Sequence, residues 1–125
     1  MRLLLDTHVL LWWLADDASL RGEARAAIAG GDAYVAVSAA SAWEIAIKQR
    51  LGKLRAPGDL AAQLARHRFV PLAVTVPHAL RAGALPLLHD DPFDRMLVAQ
   101  AELEGLTVVT RDAAIGRYGV PTLAA

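Results

Sequence analysis

The sequence predicts an α/β domain of three layers, a central parallel sheet of four to five strands flanked by helices, and three observations carry that prediction. Leu3-Leu4-Leu5 is apolar at every position and too short for a helix, as expected of a central strand buried on both faces. Short apolar or β-branched runs alternate with segments of helical length along the rest of the chain, the pattern of a parallel sheet covered on both sides. The first run also stops abruptly at Asp6, and sheets of this class place their chemistry just beyond the carboxyl ends of the strands.

In chain order, Asp6 is suited to cap a helix over Thr7–Leu14. A polar turn follows, and Ser19 can cap a second helix from about Leu20 to Ala29, ended by Gly30 and Gly31. Ala33–Val37 reads as the second strand. Ser38 then stands as cap of a longer helix through Arg50, stopped by Gly52. Pro57 opens a helix to about Arg68, Phe69–Val74 is the third strand, and Pro77 begins a helix towards Ala84. A loop from Pro86 to Asp91 leads to a helix over Pro92–Glu104, stopped by Gly105. Leu106-Thr107-Val108-Val109 is the clearest strand, and Ala113–Arg117 follows as a short helix. With no repeat or linker, residues 1–125 are expected to form a single domain.

Composition narrows the function. The hydrophobic share of 55% is above the usual range and points to a covered apolar surface such as an oligomer contact. Thirteen basic and thirteen acidic side chains cancel, so nucleic acid must be held locally or through a metal rather than by net charge. The absence of Cys excludes disulfides, thiolate metal sites and Cys nucleophiles. Asp6 and His8 interrupt the first apolar run before it reaches signal-peptide length, and nothing approaches the roughly twenty apolar residues of a membrane span. A cytoplasmic protein is expected.

Four acids resist a purely structural account. Glu44 lies inside the helix after Ser38, where helical spacing aligns it with Ala40, Ile47 and Leu51 on an apolar stripe. Asp91 is the natural cap of the helix that Pro92 opens, which leaves Asp94 on the same face as Leu97, Val98 and Ala101. Asp112 follows Thr110-Arg111 at the end of the clearest strand. Each acid alone could cap a helix, complement its dipole or reach solvent. Together with Asp6, they point from separate segments to one sheet edge, where their mutual repulsion needs a compensating charge. Lysine is not expected to supply it, since the chain has only Lys48 and Lys53. An oxygen-rich set without Cys or paired His suits Mg²⁺ or Mn²⁺ and phosphoryl chemistry.

LLLDTHVLLW, SAASAWEIAIKQRLGKL and HDDPFDRMLVAQAELEGLTVVTRD resemble, in order and spacing, the PIN-domain ribonucleases, and most closely the VapC toxins of bacterial toxin–antitoxin pairs. The likeness covers nearly the whole chain. It implies a PIN-like fold with an acidic tetrad at Asp6, Glu44, Asp94 and Asp112. Thr7, Ser38 and Thr110 would be the small polar residues near the metal. The activity implied is that of a Mg²⁺- or Mn²⁺-dependent endoribonuclease using metal-activated water, which would leave a 5′-phosphate and a 3′-hydroxyl. The partners implied are RNA, a cognate antitoxin and a second copy in a homodimer.

Other residues are weighed beside this. Lys48, Arg50, Lys53 and Arg55 place four positive charges within eight residues, serving either a helix C-terminus or RNA phosphates, with Lys48 nearest the acids. Arg95 and Arg111 each adjoin a tetrad acid and are candidates for RNA or antitoxin contact, or for tuning the acids. His8, His67, His78 and His89 show no ligand spacing and are not expected to act as bases. Trp12, Trp13 and Trp43 read as core or dimer packing rather than base stacking. A phosphoacceptor receiver domain is excluded by the lack of any lysine after Lys53, and a haloacid-dehalogenase-like phosphatase by His8 where a second Asp is needed. The remaining alternative is a catalytically silent PIN-type module, which should have lost an acid. None is lost.

Overall fold

The computed structural model describes residues 1–31 and 33–125. The strands are β1 (Arg2–Leu5), β2 (Tyr34–Ser38), β3 (Val70–Leu72), β4 (Thr107–Thr110) and β5 (Thr122–Ala124). The helices are α1 (Thr7–Leu14), α2 (Gly22–Ala29), α3 (Ala39–Arg50), α4 (Leu60–Arg66), α5 (Val76–Ala84), α6 (Pro92–Glu104) and α7 (Ala113–Gly116). The strands form one sheet in the order β3-β2-β1-β4-β5, every pair parallel. β1 is central, as its unbroken leucine run requires.

Alternation along β1 divides the core. Leu3 and Leu5 face one layer with Val9, Leu10, Ile28, Ile45, Leu64 and Phe69, from helices α1 to α4 and the start of β3. Leu4 faces the other, with Ala82, Leu97, Val98, Ala101 and Ile115 from α5, α6 and α7. The chain leaves β1 to one side for β2 and β3, then returns to the other side for β4 and β5. That reversal lies between β1 and β4, and such a switch point opens a crevice at the carboxyl ends of the strands. Asp6 and Asp112 follow the two strands that flank it.

Some element bounds differ from those the sequence suggests. Ser19 does not cap α2: its N–H bonds to Asp17 Oδ1, Leu20 turns fully into the core, and the helix starts at Gly22 after an extended Arg21. α4 begins at Leu60 rather than near Pro57, and β3 keeps only Val70–Leu72 of the expected run. The fifth strand, allowed for in the expected count of four to five, is β5, whose place was not legible in the sequence because three residues at a sheet edge carry little pattern of their own. Among the described residues no helix is long and apolar enough to cross a membrane. Since Leu4 is fully buried between sheet and helices, Leu4→Ala should lower unfolding free energy by about 3 kcal/mol in urea denaturation, a large cost for a cavity at the centre of the second layer.

Candidate active site

At the switch point the ends of β1 and β4 are tied together. The Thr110 hydroxyl accepts the N–H of Asp112 at 3.0 Å, so its proton is free to go to Asp6 Oδ2, which it reaches at 2.6 Å. Asp6 also caps α1 by accepting the His8 N–H at 3.0 Å, and Asp112 caps α7 by accepting the Ala114 N–H at 2.9 Å. Both carboxylates therefore point across the strand ends with their orientation set by backbone donors.

Glu44 enters from α3. It is only 4% exposed and lies on the helix face of Ala40, Ser41 and Ile45, whereas Ile47 and Leu51 are exposed. The apolar stripe expected around Glu44 is thus turned by about one residue. Thr7 donates to Glu44 Oε1 at 2.7 Å, and Ser41, a residue the sequence did not single out, has its hydroxyl 3.0 Å from that of Thr7. Lys48 reaches Glu44 Oε2 at 2.6 Å, one helical turn along. Lysine therefore does compensate one of the acids, against expectation, and through this pair Lys48 keeps its proton more tightly than an ordinary lysine despite partial burial.

Asp94, in the first turn of α6, is the most strained of the four electrostatically. Burial, followed by the charges of Asp6 and Asp91, pushes its pKa up to about 7 from 3.8. Asp112 goes the other way: burial opposes its charge, but the Ala114 N–H and His89 together hold it below the usual range. His89, not expected to act as a base, lies between two of the acids. Its Nε2 lies 2.8 Å from Asp112 Oδ2 and 3.0 Å from Asp94 Oδ2. Burial disfavours a charged His89 ring, but the Asp112 hydrogen bond and the charges of Asp94, Asp112 and Asp91 outweigh it and raise its proton affinity. No spacing rule could have found it, because the loop that carries it is placed by tertiary contacts.

Those contacts correct the reading of Arg95. Rather than facing RNA or an antitoxin, it is 8% exposed and its guanidinium donates to the carbonyls of Ala82, Leu85 and Pro86 at 2.8 to 2.9 Å. On a helix, neighbouring positions point about 100° apart, so an arginine next to a site acid can be buried behind it. Ser38 caps α3 as expected, accepting the Ala40 N–H. Arg111 does line the cleft, its guanidinium stacked 4.3 Å above the Trp12 ring and bonded to the carbonyls of Ala125 and Ser19.

The result is a cleft of about 440 Å³ lined by all four acids together with Asp91, His89, Lys48 and Arg111. Asp6, Glu44, Asp94 and Asp112 present oxygen donors from four separate elements, and Asp94, its pKa raised first by burial and then by the charges of Asp6 and Asp91, is a carboxylate whose ionised form a cation would stabilise. This donor set fits a hard divalent ion. Its protonation has a consequence for stability. Between 3.8 and about 7 the unfolded chain has released the Asp94 proton while the metal-free fold retains it, so stability due to this group falls as pH rises through that window. In EDTA, thermal melts should show Asp94→Asn gaining on the wild type from about pH 4 and levelling off above about pH 7. Parallel profiles for the two proteins would rule out Asp94 as a crowded acid.

A family model described as PIN domain matches residues 3–121. Ribonuclease VapC22 of Mycobacterium tuberculosis (strain ATCC 25618 / H37Rv) is 37% identical over 123 residues, covering 94% of this chain and 92% of the relative. Among solved structures, VapBC2 from Rickettsia felis, bound to a DNA fragment from its promoter, superposes with a TM-score of 0.72 at 14% identity, covering 99% of this chain and 98% of that one. A toxin–antitoxin complex from Klebsiella pneumoniae gives a TM-score of 0.65 at 22% identity, covering 96% and 94%. At these identities the structural likeness speaks for the fold. The family model and the VapC relative each span almost the whole sequence, and on that footing the chain belongs to the PIN-domain family and, within it, to the VapC proteins.

Proposed function

We propose that this protein is a Mg²⁺-dependent endoribonuclease, with Mn²⁺ able to serve in its place, and the toxin of a toxin–antitoxin pair. The observation that carries the reading is the convergence of Asp6, Glu44, Asp94 and Asp112 on one cleft at the switch point of the sheet. These four would hold the ion. A divalent ion bound there supplies Lewis-acid polarisation of a phosphoryl oxygen and lowers the pKa of a coordinated water.

The chain's own groups orient and anchor. Thr110 and the His8 N–H aim the Asp6 carboxylate, and Thr7 aims that of Glu44. Lys48 and Arg111 line the same cleft and are placed to meet RNA phosphate; with no net charge on the chain, binding through them will be local and salt-dependent. Because the attacking oxygen comes from water, the RNA 2′-hydroxyl is not consumed; with the bond from phosphorus to the 3′-oxygen as the one broken, the 3′-oxygen leaves as a hydroxyl and the phosphate stays on the 5′-oxygen. Asp6→Asn or Asp94→Asn should abolish cleavage of an RNA substrate while circular dichroism stays native, and EDTA should stop the wild type. Undiminished cleavage in EDTA would sink the reading.

The toxin role rests on the VapC relative and on structural neighbours that are toxin–antitoxin complexes, and it implies a cognate antitoxin. A homodimer is supported by apolar surface left uncovered. Trp43 is 66% exposed and meets Phe93 edge to face, beside an apolar groove also lined by Ala39, Val74, Pro92 and Met96. Trp43→Arg should convert the dimer to a monomer in light scattering; an unchanged mass would place the interface elsewhere.

A further inference from the structure

His89 stands between two of the acids without a part in the chemistry above. Its Nε2 and the nearer oxygens of Asp94 and Asp112 lie within 4.8 Å of one another, a spacing that would admit a metal ion among them. The other ring nitrogen argues against that. Nδ1 accepts the backbone N–H of Asp91 at 3.1 Å, and a nitrogen whose lone pair receives an N–H carries no hydrogen of its own. In the neutral ring the proton is then on Nε2, where it points at the carboxylates and leaves no lone pair for a metal. Flipping the ring would set carbon against both the Asp91 N–H and the acids.

The ring's position is itself built. The N–H groups of Leu88 and His89 both donate to Tyr118 Oη, at 3.2 and 2.9 Å, and that hydroxyl donates to Pro86 O at 2.8 Å. Arg95 holds the same Pro86 carbonyl and, through its other terminal nitrogen, those of Ala82 and Leu85. Arg95 of α6 and Tyr118 beyond α7 thus hold the loop that brings the imidazole to the cleft.

We propose that His89 is a positioning residue: locked as the Nε2–H tautomer, it donates to Asp112, lies against Asp94, and holds the two carboxylates at ligand spacing while staying outside the coordination sphere. Asp91 then has two tasks, its carboxylate capping α6 and its N–H setting the tautomer. The donor set left for the ion is all oxygen, which favours Mg²⁺ and Mn²⁺ over zinc. This inference rests on the metal-dependent nuclease reading, and its test separates the two.

His89→Phe keeps a ring but has no donor, whereas His89→Gln restores an N–H near the position of Nε2. With the full chain and an RNA oligonucleotide, His89→Phe should raise the Mg²⁺ concentration for half-maximal cleavage by about 10- to 100-fold, the usual cost of losing a partner behind a metal ligand. KM for RNA should stay near the wild-type value, and His89→Gln should recover most of the loss. A wild-type Mg²⁺ requirement in His89→Phe would overturn the proposal. Nitrogen-15 spectra of the wild-type imidazole at mildly alkaline pH give a reading that needs no variant to fold. Nε2 should carry the proton and Nδ1 should be bare, with and without saturating Mg²⁺. A bare Nε2 beside a protonated Nδ1, or loss of the Nε2 proton on adding Zn²⁺, would show a ligand instead. Cleavage by the wild type in EDTA would defeat the metal dependence of the nuclease reading, and the imidazole spectrum would still judge the tautomer.

Discussion

Carboxylates crowded into one cleft repel one another, and the architecture around the strand ends is arranged to withstand that repulsion. Three of the four acids sit at helix N-termini: Asp6 caps α1, Asp112 caps α7, and Asp94 occupies the first turn of α6. The positive ends of these helices lie at the cleft and offset part of the charge. Thr110, Thr7, His89 and Lys48 add hydrogen-bond donors or charge, so every acid has at least one partner within the protein. The compensation is incomplete at Asp94, where burial and the neighbouring charges of Asp6 and Asp91 push the pKa up to about 7.

The partners differ in what they do to a cation. Threonine and backbone donors take one lone pair of a carboxylate oxygen and leave others available, so they orient without competing. Lys48 is different, because its ammonium occupies the negative field of Glu44 directly. An ion drawing on Glu44 would share that oxygen field with Lys48 or displace it towards solvent, where a side chain already 36% exposed can go at small cost. The i,i+4 spacing that forms the pair also lets it open without disturbing α3.

Around this centre the chain separates residues that face the cleft from residues that build it. Arg95 has the charge and the sequence position of a phosphate contact, yet it is spent on three carbonyls, one in the last turn of α5 and two just after it. A buried guanidinium must have its donors satisfied, and a loop folded back on itself offers unpaired carbonyls, so each solves the other's problem. Tyr118 does the same for two N–H groups of that loop. The loop's rigidity comes from these two side chains rather than from regular secondary structure.

The sequence by itself determined the class of fold, the central place of Leu3-Leu4-Leu5, the caps Asp6, Ser38 and Asp91, and the four acids that share the cleft. These are legible because capping, turn chemistry and periodicity act within a dozen residues, and because an acid on an otherwise apolar face is conspicuous. The tertiary structure alone decided the strand order, the pairing of Lys48 with Glu44, the burial of Arg95 and the place of His89. It also added β5, which exists only through its pairing with β4. Such contacts join residues far apart along the chain, and which groups meet there is settled by how the layers close, a constraint that no local stretch contains.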